Sequence, residues 1–203
     1  MVPSTIRNES ISPNFVHLCV DMQRLYAEGT EWSLPWMSRV LPQIVRLCER
    51  APDHTTFTRF IPAQRPGQGH GTWRRYYERW ASMTIEAVGM DMVELVPELA
   101  RFVPPADVVD KPVYSPWLGS SLHARLRARG CDTLVITGGE TDMCVLSSVL
   151  GAADYGFRTI IVSDALCSAS DEAHDAMLML FSSRYGQHLE TATLEEVLEL
   201  MPR

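Results

Sequence analysis

The chain has no Cys-x-x-Cys pair, no Gly-x-Gly-x-x-Gly and no apolar run near the ~18 residues that a membrane-spanning helix needs. The first absence excludes a zinc ribbon or a thioredoxin-like redox motif. The five cysteines are scattered at positions 19, 48, 131, 144 and 167. The second absence removes the dinucleotide fingerprint: Gly138-Gly139 follows an apolar run but lacks the third glycine. The third leaves no membrane partner to expect. Positive charge is also short. Eighteen Lys and Arg stand against 25 Asp and Glu, and a net charge of −7 makes nucleic acid a poor partner. Residues 1–14 are polar and lack the apolar core of a signal peptide. They are expected to form a loosely ordered N-terminal segment. Together with unpaired cysteines they point to a cytoplasmic location.

What is there suits one globular domain over residues 1–203, with 46% hydrophobic and 21% charged residues. Strand and helix patterns alternate. Strands are expected at Phe15–Val20, Thr55–Phe60, Asp107–Asp110, Thr133–Thr137, Thr159–Ser163 and His188–Thr191. Helices are expected at Trp36–Leu47, Trp73–Met83, Ser120–Arg129, Asp142–Tyr155, Asp171–Arg184 and Leu194–Leu200. The strands are apolar without strict alternation, so both their faces are buried. This predicts an α/β fold with a mostly parallel six-stranded sheet and helices on both faces. Pro62–Gly71 reads as a mobile loop, and Met83–Pro105 as a second loop wrapping the surface.

Ligands of an open parallel sheet bind beyond the carboxyl ends of its strands. Asp21, Arg59, Lys111 and the run Gly138–Cys144 occupy those ends. Cys144 falls in the first turn of a helix, with Thr141 or Asp142 placed to cap it. A helix N-terminus and a nearby ammonium both lower a thiol pKa, and free amides in such a turn can hold an oxyanion. A small thiol packed at the start of a buried helix is the competing reading. Asp21 and Lys111 at neighbouring strand ends favour a nucleophile.

Three segments carry a resemblance: Val20-Asp21-Met22-Gln23, then Asp110-Lys111-Pro112-Val113-Tyr114-Ser115-Pro116-Trp117, then Gly138-Gly139-Glu140-Thr141-Asp142-Met143-Cys144-Val145 running on to Gly156. In this order the chain resembles the isochorismatase-like cysteine hydrolases, which include nicotinamidases, N-carbamoylsarcosine amidohydrolases and ureide hydrolases. The resemblance covers roughly residues 15–200. It implies a three-layer Rossmann-like fold with strand order 3-2-1-4-5-6. It implies a catalytic triad of Asp21, Lys111 and Cys144, a cis peptide between Gly139 and Glu140, and an oxyanion hole made by the backbone N–H groups of Glu140 and Cys144. It also implies a homodimer or homotetramer.

The departures matter. Nicotinamidases hold a metal with an Asp-x-His segment and a further His. Here Asp53 and His54 are adjacent, so no metal and no cofactor is expected. Isochorismatases proper cleave an ether without a cysteine, so Cys144 favours C–N cleavage of a small amide, imide or ureide through a thioester-type intermediate. The alternatives are ether hydrolysis, a non-catalytic binding relative and a redox sensor. Arg59, Tyr114, Trp117, Tyr26 and His70 are the candidate substrate contacts, each weighed against an ion pair or core packing. Trp73, Tyr76, Tyr77 and Trp80 share one helix face, as core, subunit interface or pocket wall. Glu140 either points away as a helix-end charge or excludes anionic substrates.

Overall fold

The computed structural model describes residues 3–27 and 29–202. Six strands, β1 (Phe15–Val20), β2 (Thr55–Phe60), β3 (Asp107–Lys111), β4 (Thr133–Gly139), β5 (Arg158–Cys167) and β6 (Leu189–Ala192), form one sheet in the order β3-β2-β1-β4-β5-β6. Every pairing is parallel. The reason is legible in β1 and β4, whose residues are all buried. A strand buried on both faces needs a layer of helices on each side, and crossover helices supply both layers.

One face carries α2 (Met37–Arg50) and α9 (Leu194–Leu200). Met37, Val40, Ile44 and Leu47 of α2 lie on a single stripe and are buried. The other face carries α6 (Leu122–Ala128), α7 (Leu146–Asp154) and α8 (Asp171–Ser183), with Leu122, Leu126, Val149, Leu178 and Phe181 in its core. Each fully buried aliphatic side chain contributes about 1.5–3 kcal/mol. Helix starts are fixed locally. Ser170 caps α8 by accepting the Ala173 N–H, and Thr193 with Glu196 forms a capping box on α9.

Three expectations need correction. First, β5 runs past Ser163 to Cys167, because a register shift between Ile136 and Gly138 of β4 lets the pairing resume at Leu166 and Cys167. Second, residues 83–105 are not a plain surface loop. They contain α4 (Ile85–Val88) and α5 (Pro97–Ala100), bury Val93, Leu95 and Leu99, and bridge Gln23 through Leu95. Third, the N-terminal segment is tied down from residue 3 onward; residues 1 and 2 lie outside the described residues. Thr5 N–H donates to the Thr191 carbonyl, the Arg7 N–H to Glu190, and Ile11 N–H to Leu200, with Ile11 buried. The segment fills the open edge beside β6, which would otherwise leave unpaired strand groups. Among the described residues no helix is long and apolar enough to cross a membrane.

Candidate active site

The ends of β1, β3 and β4 converge on one buried point. Lys111 closes β3 and is the only lysine in the chain. Its Nζ lies 2.7 Å from Asp21 Oδ2, with the two side chains 0% and 1% exposed. The same Nζ donates to Cys144 Sγ at 3.3 Å and to the Val113 carbonyl at 3.2 Å. The structure therefore brings together Asp21, Lys111 and Cys144.

Asp21 is held from two sides. Thr58 of β2 donates its hydroxyl to Oδ1 at 2.6 Å, and the Thr58 hydroxyl and carbonyl oxygens each accept the Asp21 N–H at 3.2 Å. Oδ2 has the ion pair but no hydrogen-bond donor of good angle, a rare condition for a buried carboxylate oxygen. Asp21 sits at φ +50°, a left-handed conformation that Asp tolerates better than most residues and that turns its side chain off the strand end. Gln23 locks the same corner: its amide donates to the Phe60 and Val93 carbonyls and accepts the Phe60 N–H.

Cys144 lies in a π-helical turn, Thr141–Val145, that leads into α7. Such turns cluster at functional sites. The turn starts at a cis peptide between Gly139 and Glu140. Gly138 is obligatory here: its φ is +109°, and a Cβ would meet the Val20 carbonyl oxygen at 2.2 Å. The expected caps are absent. Thr141 instead donates to the Cys167 carbonyl and meets His174 Nδ1 at 2.9 Å, and Asp142 accepts from the Ser168 hydroxyl.

The thiol itself departs from expectation. Burial and the neighbouring Asp21 push its pKa well above the ordinary value, and Lys111 only partly offsets them. Both effects work against the thiolate in this site. The helix-start argument missed this because it left out desolvation and the carboxylate's like charge. Burial also works against the Lys111 charge, but Asp21 and Cys144 more than offset it, leaving its pKa above the usual lysine value. An Asp without a full complement of donors, an ammonium and a thiol can pass one proton among themselves.

Of the candidate contacts, Tyr26 and Tyr114 lie within electrostatic reach of Cys144 and Glu140. Tyr26 is buried and stacked on Trp32. Tyr114 packs on Trp73 and Tyr76. His70 lines a cavity of about 650 Å³ beside Trp73, Tyr77 and Val113. Its link to the site is Val113, whose carbonyl holds Lys111. Arg59 does not face the site: its guanidinium is bidentate on Asp110 and bonded to Glu94. Trp117 does not face it either. Its indole N–H donates to the Ser148 carbonyl, its ring stacks on Phe157, and a Cβ at Gly151 would meet it at 2.1 Å. Both side chains satisfy nearer partners, which strand-end position alone does not reveal. The helix α3 (Trp73–Arg79) puts Tyr77 into the core while Trp73 and Tyr76 wall the space beside Tyr114.

Thr58 and Gln23 gained no role from the sequence. A further signal that the sequence holds for the site is that Lys111 is the single lysine among eighteen cations. Among the described residues no three His, Cys, Asp or Glu side chains group as metal ligands. His54 stacks on Phe15, and its Nδ1 bonds the Phe15 carbonyl.

Comparison with known proteins follows the same geometry. Over 112 residues the chain is 36% identical to an uncharacterized isochorismatase family protein, YwoC, of Bacillus subtilis, covering 52% of this chain and 58% of that one. Over 79 residues it is 37% identical to maleamate amidohydrolase of Pseudomonas putida, covering 39% of this chain and 37% of the relative. The chain thus spans little more than half the length of the first relative and under two fifths of the second. Among solved structures, a cysteine hydrolase from Pseudomonas syringae pv. phaseolicola superposes with a TM-score of 0.81 at 23% identity, over 98% of this chain and 96% of that one. N-carbamoylsarcosine amidase from Thermoplasma acidophilum does so with 0.72 at 22%, over 89% and 96%. These two likenesses show the fold. The family model named Isochorismatase domain matches residues 15–193, and on that match the chain belongs to the isochorismatase domain family.

Proposed function

We propose that the protein hydrolyses a C–N bond of a small amide, imide or ureide, with Cys144 as nucleophile and without a metal. One observation carries the reading: Lys111 Nζ lies 2.7 Å from Asp21 Oδ2 and 3.3 Å from Cys144 Sγ in a single buried cluster. The amidohydrolase name of a relative supports the bond class.

In this reading the thiol proton moves to Asp21 Oδ2, the carboxylate oxygen with room for it, and Lys111 stabilises the thiolate. Cys144 Sγ attacks the carbonyl carbon. The N–H groups of Glu140 and Cys144 receive the oxyanion, each contributing about 3 kcal/mol. Asp21 returns the proton to the leaving nitrogen, the C–N bond breaks, and an acyl-enzyme remains. Asp21 then takes a proton from water, whose oxygen attacks the acyl carbon, and the thiol is regenerated.

The test is turnover of a panel of small primary amides, imides and ureides, read as ammonia release for the amides and ureides and as the amide-acid product for the imides, with and without a chelator. The wild type is expected to turn over at least one compound, unchanged by chelation. Cys144→Ala and Cys144→Ser are expected to lose at least about 10³-fold while remaining folded. Ammonia release that survives in Cys144→Ala would end the covalent mechanism.

A further inference from the structure

We infer that His174 is a positioning residue for Cys144: its Nδ1–H donates to the Thr141 hydroxyl, Thr141 donates on to the Cys167 carbonyl, and this relay holds the turn that carries the thiol. The inference rests on the hydrolase reading above and goes beyond it to a buried residue that the mechanism does not use.

A π-helical turn is a wide and rarely used piece of backbone. In Thr141–Val145 the Glu140 carbonyl accepts both the Met143 and the Val145 N–H, at 3.1 and 2.9 Å, and Glu140 supplies no side-chain cap. The aim of the turn therefore depends on ties from outside it. Two come from the end of β5 and the residue after it: the Cys167 carbonyl accepts the Thr141 hydroxyl at 3.0 Å, and the Ser168 hydroxyl donates to Asp142. The third comes from a helix. His174 lies one turn into α8, and its Nδ1 is 2.9 Å from Thr141 Oγ1. Both residues are buried.

A proton count sets the direction of the relay. The Thr141 hydroxyl has one proton, and the Cys167 carbonyl can only accept it. Toward His174 the Thr141 oxygen must then accept, so Nδ1 carries the hydrogen. Burial outweighs the carboxylates of Asp175, Asp171 and Asp142 and holds His174 below its ordinary value of 6.5, which leaves the ring neutral at pH 8. The ring is held in turn. It packs on Trp36, in the segment between α1 (Arg24–Ala27) and α2, with centroids 5.8 Å apart, and the Arg39 guanidinium lies over the Trp36 ring. The His174 backbone N–H donates to the Ser170 carbonyl in the capped first turn of α8. That helix buries Leu178 and Phe181 in the core, so it is a firm base for the relay. A shift of the turn by about 1 Å would carry Sγ with it, and a misplacement of that size can cost about 10²-fold in rate.

The test is a double-mutant cycle on ammonia release at pH 8, joined to hydrogen exchange and histidine NMR. His174→Leu is expected to lose about tenfold in kcat, with KM changed by less than about twofold. His174→Asn, whose amide nitrogen can stand where Nδ1 stood, should recover most of that loss. Thr141→Val keeps the side chain's shape, removes both bonds and should lose at least as much, while Thr141→Ser should recover. The double variant His174→Leu, Thr141→Val should be no worse than Thr141→Val alone, because both act through one bond. Thr141→Val reads the relay from its other end if His174→Leu does not fold. Long-range proton–nitrogen spectra of the wild type should show His174 as the Nδ1–H tautomer. Exchange of the Thr141–Val145 amides should rise at least about fivefold in His174→Leu. A folded His174→Leu with wild-type kcat would overturn the inference and leave the hydrolase reading standing. So would losses that simply add, or an Nε2–H tautomer. If the wild type turns over no amide, the hydrolase reading fails and exchange decides the relay alone: faster exchange confined to the turn upholds it, and unchanged exchange overturns it.

Discussion

Two buried ion pairs sit at different places in the same sheet, and they are built differently. Glu190 on β6 is complete. Arg158 of β5 grips both its oxygens, at 2.9 and 3.0 Å, and the Arg7 backbone N–H adds a third bond. Arg158 is itself finished by the Glu9 and Ser10 carbonyls. Asp21 on β1 is incomplete. Lys111 stands against Oδ2, yet that oxygen takes no well-aligned hydrogen bond. Burying a charge without satisfying it is costly, so a sequence that folds around such a pair gains something else from it. The satisfied pair fastens the N-terminal segment to the sheet edge. The unsatisfied pair stands beside the Cys144 thiol, where the proposed mechanism needs a group to take and return a proton.

That contrast can be broken by mutation. The largest effect belongs to the incomplete pair. Asp21→Asn keeps the shape and the tolerance for positive φ but removes the proton acceptor, so turnover should fall by about 10³-fold or more, read as steady-state ammonia release. Its thermal midpoint should fall as well, because the neutral amide leaves the fully buried Lys111 ammonium without its counter-charge, a loss of about 3 kcal/mol or more. Breaking the complete pair should cost stability alone. Glu190→Gln should lower unfolding stability by about 2 kcal/mol, less than a fully buried pair would lose because Arg158 is 18% exposed, and leave kcat unchanged.

Acid should reveal the same difference. Burial opposes the Glu190 charge, but Arg158 and the Arg7 N–H more than offset it and hold the carboxyl below its ordinary value of 4.5. Its contribution to stability is therefore present above pH 4.5 and is lost as pH falls through the lower folded value. Denaturation curves of the wild type and Glu190→Gln should converge over that window and stay apart at pH 7.

Smaller effects sharpen the boundary of the site. Thr58→Val removes the bond to Asp21 Oδ1 and should cost about tenfold in kcat/KM, in line with a hydrogen bond to a charged acceptor. Arg59→Met should be the mildest. Its partners Glu94 and Asp110 are about half exposed, so stability should change by at most about 1 kcal/mol and kcat/KM by no more than about twofold. A large loss of activity in Arg59→Met would return that residue to the site.

The contrast also shows what a sequence can carry. The strands were readable because apolar runs at Phe15, Thr133 and Thr159 cannot tolerate water on either face. Asp21, Lys111 and Cys144 were readable because strand ends in a parallel sheet converge, whatever the loops do. Orientation was less readable. Arg59 and Trp117 stand at the right ends but turn to Asp110 and Ser148, partners close in space that no spacing rule predicts. The upward shift of the Cys144 thiol was unreadable for the same reason: it depends on burial and on one neighbouring carboxylate. Residues 3–14 looked loose because their partners, Thr191, Glu190 and Leu200, lie at the far end of the chain.

The central claim is that the incomplete Asp21–Lys111 pair governs the Cys144 proton. It is tested most directly by the pH dependence of Cys144 alkylation with iodoacetamide in wild type, Asp21→Asn and Lys111→Met. The account predicts a wild-type midpoint above the ordinary thiol value of about 8.5, a lower one in Asp21→Asn and a higher one in Lys111→Met. Three coincident midpoints near that of a free cysteine would contradict it.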